Sequence, residues 1–148
     1  VTGIVIAPFT THDEAAMALL LEAAELSTED ITPEMLEHFK VAHLGPALVG
    51  CAGLDVQGET ALLRSVAVDE THRGLGLGKR LVQAMEDHAR EQGVRELYLL
   101  TTTAEEFFAG LDYRKLPRSE APAGIAATEQ FAGLCPSSSS FMAKTLIP

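Results

Sequence analysis

Ser65-Val66-Ala67-Val68, followed after four residues by Arg73-Gly74-Leu75-Gly76-Leu77-Gly78-Lys79, is the stretch on which the fold turns. It reads as an apolar strand, a glycine-rich turn and the start of a helix. Glycine accepts positive φ and lets a ligand approach the backbone closely. The first turn of a helix presents unpaired N–H groups and a partial positive charge. Together these make an anion site suited to phosphates, and Arg73, Lys79 and Arg80 add formal charge.

Working outward, the spacing predicts a helix from Gly78 to Gln92, closed by Gly93 as its C-terminal cap. Leu77, Leu81, Ala84, Met85 and His88 make the apolar stripe, leaving Lys79, Arg80, Gln83, Glu86, Asp87, Arg90 and Glu91 to face water. Leu97 to Thr101 is a nearly continuous apolar run, as expected of a strand covered on both faces. Strand, crossover helix and strand make a βαβ unit. A Walker loop does not fit, because Gly74 and Gly78 have three residues between them rather than four and Arg80 follows Lys79. A dinucleotide fingerprint would need Gly at Lys79 and an earlier place in the chain.

Before the loop, Gly3 to Phe9 reads as a strand, and Thr10 or Thr11 can cap a helix over Asp13 to Leu26. Thr32-Pro33-Glu34 starts a short helix toward Phe39. Val41 to Leu44, Ala47 to Val56 and Thr60 to Val68 form a meander punctuated by Gly45-Pro46 and Gln57-Gly58-Glu59. After the βαβ unit come a helix at Ala104 to Gly110, a strand at Tyr113 to Leu116, a helix from Pro122 to Ala132 and a strand at Ser140 to Leu146. The expectation is an α/β fold, a mixed sheet of about seven strands with helices on both faces, in a single domain over 1–148.

The 148 residues carry 21 carboxylates against 11 basic side chains, a net charge of −10, with two Cys and neither Trp nor Asn. Such a balance argues against nucleic acid or an anionic membrane as partner. The charge is uneven: residues 1–61 hold ten carboxylates and one cation, Lys40, whereas the remainder holds eleven carboxylates and ten cations. An anionic ligand is therefore expected in the second half. Two widely spaced Cys suit a reducing compartment, and no apolar run approaches a membrane span. These features predict a cytoplasmic protein.

Arg-x-x-Gly-x-Gly over Arg73 to Gly78, after Ser65-Val66-Ala67-Val68, resembles the coenzyme A pyrophosphate loop of the GNAT N-acetyltransferases. Leu99-Leu100-Thr101-Thr102-Thr103-Ala104 with Phe107-Phe108 is similar to amino-acid N-acetyltransferases of the glutamate-acetylating type. Pro122, Ile125, Thr128, Phe131, Leu134-Cys135-Pro136 and Met142 resemble the small arsenic-resistance acetyltransferases of the same superfamily. The resemblance implies acetyl-CoA as co-substrate and no metal. It places pantetheine along the backbone of Val66, Ala67 and Val68, and the pyrophosphate on Arg73, Gly74, Leu75, Gly76, Leu77, Gly78 and Lys79. A free amine would attack the thioester directly, with catalysis from positioning, an oxyanion donor and removal of the ammonium proton.

Three residues of the family pattern are replaced. Phe108 stands where many relatives carry a Tyr acid, and Asp112 replaces the Gly before Tyr113. Leu63 or its neighbour stands where phosphinothricin-type relatives carry a Glu base. Ser65, Thr101 and Thr102 become the catalytic candidates, as oxyanion donors or relays through water, although Thr at a strand end equally serves as a cap. Arg64, Thr103 and Arg118 are the candidates for substrate binding. Strict alternation turns Arg64 away from Ser65, toward a substrate carboxylate or the solvent. Tyr113 is an alternative acid. His88 reads as packed, His72 as solvated or touching phosphate, and His38 and His43 lack metal-ligand spacing. Cys51 and Cys135 do not make the convergent thiolate set that arsenite would want.

The leading expectation is acetyl transfer to the primary amine of a small molecule, an amino acid or toxic amino-acid analogue. Such a substrate would call on Arg64, Arg114 or Arg118. A non-catalytic acyl-CoA-binding regulatory domain, and a protein or polyamine acetyltransferase, are the competing readings. A homodimer stays open.

Overall fold

The structure is a computed structural model, and it describes residues 3–134 and 138–146. Among these, seven strands form one sheet: β1 (Ile4–Pro8), β2 (Phe39–Leu44), β3 (Ala47–Gln57), β4 (Thr60–Val68), β5 (Glu96–Thr101), β6 (Arg114–Leu116) and β7 (Ser140–Thr145). Their order is β1-β2-β3-β4-β5-β7-β6. Only β4 and β5 run parallel; every other neighbouring pair is antiparallel. The mixed seven-stranded sheet is the one expected.

The helices are α1 (Glu14–Ala23), α2 (Pro33–Leu36), α3 (Leu77–Glu91), α4 (Glu105–Ala109) and α5 (Ala123–Ala126). Leu77, Leu81, Val82, Met85 and Ala89 of α3 and Phe108 of α4 pack on one face of the sheet against Ala52, Leu54, Ala61, Leu63, Leu97 and Leu99. Met17 and Leu21 of α1 cover the other face over Phe39, Val41, Cys51 and Ala67. Ile125 of α5 continues that layer over Leu62, Tyr98 and Phe141. The parallel β4–β5 pair at the centre is thus buried on both faces, as such pairs require.

Local chemistry sets the helix ends. Asp13 reaches back to Thr10, accepting from its N–H at 2.9 Å and its hydroxyl at 3.1 Å. α1 stops three residues short of the expected Leu26, because Glu25 turns left-handed (φ 58°) and Leu26 N–H closes on the Leu21 carbonyl at 3.0 Å. Thr32 caps α2 by accepting from Met35 N–H at 3.1 Å. Gly93 (φ 81°) ends α3, with Val94 N–H returning to the Ala89 carbonyl at 2.9 Å. The expected helix from Pro122 to Ala132 divides. Thr128 donates its hydroxyl to the Ile125 carbonyl at 2.7 Å, ending α5, and accepts from Phe131 N–H at 3.3 Å. A π turn over Gln130–Leu134 follows. A threonine hydroxyl that competes for backbone groups in this way interrupts a helix.

Glu86 departs from the expectation of a water-facing side chain. It is 5% exposed, accepts from Tyr113 Oη at 2.8 Å and lies 3.1 Å from Lys144 Nζ. The groove beside it is lined by Lys79, Gln83, Glu86, Asp112 and Lys144. His88 does lie on the inner side of α3, half-buried, with Nε2 3.0 Å from His38 Nδ1. Burial and the charges of His38 and Lys40 hold the His88 imidazole below its ordinary pKa, outweighing the opposing effect of Glu91.

Candidate functional site

β4 and β5 pair over four residues and then part. Leu63 opposite Leu99 is the last pair, while β4 continues to Val68 and β5 to Thr101. Beyond that point β4 is held only by β3, through Arg64–Gly53, Ala67–Cys51 and Val68–Gly50. β5 is held only by β7, through Leu100–Phe141 and Thr101–Ser140. A gap inside the sheet results, and among the described residues no strand pairs with the edge of β4 that faces it beyond Leu63.

A bulge in β4 lies at the point of divergence. Cys51 faces Ala67 and Gly53 faces Arg64, so Ala52 opposes the two residues Ser65 and Val66. Ser65 takes up the extra residue with φ 57°. Ala61, Leu63, Val66 and Val68 consequently share the α3 face, whereas Leu62, Arg64 and Ala67 face the other way. The bulge breaks the strict alternation expected for Arg64 and Ser65, and their side chains meet: Arg64 Nε donates to Ser65 Oγ at 3.1 Å.

Arg64 is neither solvent-exposed nor free to take a ligand on an open fork. It is 5% exposed, and its guanidinium forms a bidentate pair with Asp30, with Nη2 2.9 Å from Oδ1 and Nη1 against Oδ2. Nη2 also donates to the Ser27 carbonyl at 3.2 Å, and Nη1 to Met35 Sδ at 3.4 Å. Gln130 Nε2 adds a donor to Asp30 Oδ1 at 3.2 Å. Burial alone would raise the Asp30 carboxyl; the hydrogen bonds and charge of Arg64, with Gln130, outweigh it and hold the group below the ordinary carboxylate value. Ser27, Asp30 and Gln130 carried no signal in the sequence, because they meet Arg64 only through the tertiary fold.

Past Val68, Asp69 N–H donates to the Val49 carbonyl at 2.8 Å and a short turn over Glu70–His72 leads into the glycine loop. His72 Nδ1 lies 2.9 Å from Asp69 Oδ2, so this ring is turned to Asp69. Arg73 is exposed and anchors its Nε on the Val68 carbonyl at 3.2 Å. Gly74 (φ 81°) and Gly76 (φ 80°) occupy the left-handed region, and nothing lies within 4 Å of where a Cβ would stand. Gly76 is the N-cap of α3; no side chain caps the helix there and no acidic residue occupies its first turn. Gly78 is closely approached instead: a Cβ there would lie 3.3 Å from Phe107 Cζ, so that partly exposed ring would have to shift slightly. Leu77 anchors the helix start in the core, whereas Leu75 and Lys79 are exposed. The loop is therefore a backbone cradle open to solvent, with Arg73 and Lys79 at its sides and the sheet gap at its foot.

The hydroxyl candidates separate. Ser65 lies in the bulge beside the gap. Thr101 Oγ1 accepts from Ala104 N–H at 3.0 Å, tying down the turn that leads into α4, and Thr102 and Thr103 are exposed in that turn. Arg118 donates to the carbonyls of Phe131 and Ser139, each at 3.5 Å, and stacks its guanidinium 5.1 Å from the Phe131 ring, pinning the tail segment. Tyr113 is buried, with its hydroxyl given to Glu86 and its pKa driven far up by burial and that carboxylate, which removes it as an acid. Cys51 is buried, and burial pushes its thiol up to about 12. Cys135 lies outside the described residues. Among the described residues, no group of three or more His, Cys, Asp or Glu side chains could hold a metal, and no helix is long and apolar enough to cross a membrane.

Known proteins share this architecture. N-acetyltransferase CT2212 of Chlorobaculum tepidum, itself described as uncharacterized, is 30% identical over 99 residues, 67% of this chain and 63% of that protein. The amino-acid acetyltransferase of Pseudomonas putida is 27% identical over 100 residues, 66% of this chain and 22% of that protein. N-acetylglutamate synthase from Neisseria gonorrhoeae, solved with coenzyme A and N-acetyl-glutamate, superposes with a TM-score of 0.84 at 22% identity, covering 98% of this chain and 35% of that one. The chain thus spans less than two thirds of the length of each of these proteins, and the last comparison bears on the fold. The profile of the Acetyltransferase (GNAT) family matches residues 7–113, and the chain belongs to that family.

Proposed function

We propose that this chain is an acetyl-CoA-dependent N-acetyltransferase, one domain over 1–148, that transfers acetyl directly to the primary amine of a small molecule. The observation that carries the reading is the end of β4–β5 pairing at Leu63 and Leu99, beside an uncapped helix N-terminus. The residues present fit coenzyme A. The Gly74 and Gly76 cradle is open where side chains would stand, and Arg73 and Lys79 supply charge to complement a pyrophosphate. The free edge of β4 from Ser65 to Val68 offers backbone groups to an extended amide-bearing arm such as pantetheine.

A bound acetyl-CoA supplies an acyl group activated as a thioester. The chain's own part is to orient and to stabilise. The N–H groups of the first α3 turn hold negative charge, and the β4 edge fixes the arm. Ser65, beside the gap, is the hydroxyl placed to donate where charge develops. With Phe108 in the usual Tyr position and Leu63 in the usual Glu position, proton removal from the ammonium falls to water in the gap. An amino acid or toxic amino-acid analogue is the acceptor we favour. The similarity to an amino-acid acetyltransferase and the resemblance of the 99–104 and 122–142 segments to amino-acid and arsenic-resistance acetyltransferases support it.

Calorimetry with acetyl-CoA and a thiol-release assay over a panel of amino acids, polyamines and aminoglycosides test the proposal. Micromolar binding with turnover of an amino-acid acceptor is expected. Binding without turnover of any amine would favour a regulatory acyl-CoA-binding domain, and no binding of acetyl-CoA would overturn the reading.

A further inference from the structure

We propose that Arg64, anchored by Asp30, is a positioning residue that holds the Ser65 hydroxyl as an oriented hydrogen-bond donor toward the acyl-sulfur end of the gap. The inference deepens the acetyltransferase reading and rests on it.

Every donor of Arg64 is accounted for. A guanidinium has five N–H donors and no acceptor. Here Nε serves Ser65, Nη1 serves Asp30 and Met35, and Nη2 serves Asp30 and Ser27. All five are engaged inside the protein, so the arrangement does not leave Arg64 as an open fork for a substrate carboxylate. Its position is fixed instead from three directions: the α1–α2 connection through Ser27 and Asp30, α2 through Met35, and the π turn through Gln130 on Asp30.

The fixed guanidinium determines what Ser65 can do. A hydroxyl has one hydrogen to give and two lone pairs. Arg64 Nε–H occupies one lone pair, so the Ser65 O–H must point elsewhere. Among the described residues no acceptor takes it. A donor that itself accepts from a cation is polarised into a stronger donor. Ser65 also stands two residues past the last β4–β5 pair, in the left-handed bulge that marks where the strands part. Left-handed backbone at a residue other than glycine persists where surrounding contacts over-determine it. Here those contacts are the Arg64 bond to its Oγ and the Cys51 Sγ bond to its carbonyl at 3.3 Å.

In the transfer, the amine lone pair forms the C–N bond to the acetyl carbon. The C–S bond breaks with its electron pair passing to sulfur, and the ammonium proton goes to water. Ser65 gives the sulfur a hydrogen bond and keeps its proton, and the thiolate is then protonated from water. This supplies a donor at the group that the Tyr of other family members would protonate.

The test is a titration of the protein-bound coenzyme A thiol by thiolate absorbance, which needs no acceptor amine. In the wild type the bound thiol is expected to ionise about one pH unit lower than in free coenzyme A, a tenfold shift. Ser65→Ala and Arg64→Lys should each return most of that unit while still binding coenzyme A; Arg64→Lys keeps the charge and loses the fork. A merely structural ion pair would leave the thiol titration unmoved. Ser65→Ala removes one oxygen and leaves the Asp30–Arg64 pair in place, so the test is decided even if Arg64→Lys does not fold. An unchanged titration in Ser65→Ala overturns the inference alone. A shift in Ser65→Ala but not in a folded Arg64→Lys refutes the role of Arg64. A wild type that does not bind coenzyme A sinks this inference together with the reading beneath it.

Discussion

At Gly76, the N-cap of α3, stability and ligand affinity should respond in opposite directions to one charge. Its φ of 80° lies in the left-handed region and no atom lies within 4 Å of where a Cβ would stand, so a substitution there is strained but not crowded. Gly76→Ala should cost about 1–2 kcal/mol of stability from the backbone alone. Gly76→Asn should cost less, since Asn tolerates the left-handed conformation. Gly76→Asp has the same shape as Asn but carries a charge beside the helix N-terminus, and should be about 0.3–1 kcal/mol more stable than Asn. For coenzyme A the order reverses. A unit charge about 5 Å from a doubly charged pyrophosphate costs about 1.7 kcal/mol even at the dielectric constant of water, or about 15-fold in affinity. Urea unfolding and calorimetric titration with coenzyme A on the Asn and Asp variants should show the more stable protein as the weaker binder. Raising the salt toward about 1 M should narrow the affinity gap by screening. Equal affinity of the two variants at low salt would refute the placement of the pyrophosphate at this terminus.

Three further outcomes follow from buried groups. Glu86→Ala leaves Lys144 and the Tyr113 hydroxyl without their partner, and should lower stability by about 3–5 kcal/mol in urea unfolding. In a Cys135→Ser background, native protein should resist iodoacetamide at pH 7.5, because the Cys51 thiol is buried and pushed up to about 12; rapid labelling would contradict its burial. His88 titrates below its ordinary value in the folded protein, so the unfolded chain binds the extra proton first. Its stabilising contribution is intact above about pH 6.5 and is lost as pH falls through the lower folded value. His88→Gln should flatten that part of the stability profile measured by thermal melts.

The glycine loop and the strands around it were legible because local rules govern them. Gly93 takes the left-handed conformation usual at a helix end, Gly76 takes it where the glycine loop turns into α3, and the meander turns fall where Gly45 and Gly58 stand. The bulge at Ser65 was not legible: the polar pair Arg64-Ser65 interrupts the period of two, but in a strand covered on both faces such a pair does not mark an extra residue, which shows only in the register against β3. The side of Arg64 was misread for the same reason, and its partner Asp30 lies 34 positions away. Glu86 was misread because helical periodicity places a carboxylate in water by default. It does not register Lys144 and Tyr113, which arrive from β7 and from the residue just before β6. Thr101 shows the limit of reading chemistry from residue type: a hydroxyl near the gap is already committed to the Ala104 amide.

The parting of β4 from β5 also bears on self-association. An unpaired strand edge invites any extended chain to add to the sheet, and proteins ordinarily blunt such edges with charge, proline or a cover. This one lies between two strands of a single sheet that rejoin at Leu63 and Leu99, with α3 and α4 over one face and α1 and α5 over the other. A β-strand of another molecule would have to enter a notch closed at one end and roofed on both sides. A slender arm carrying a few amides needs far less room, so the same enclosure that keeps the hydrogen-bonding row open to a small ligand shields it from templating aggregation.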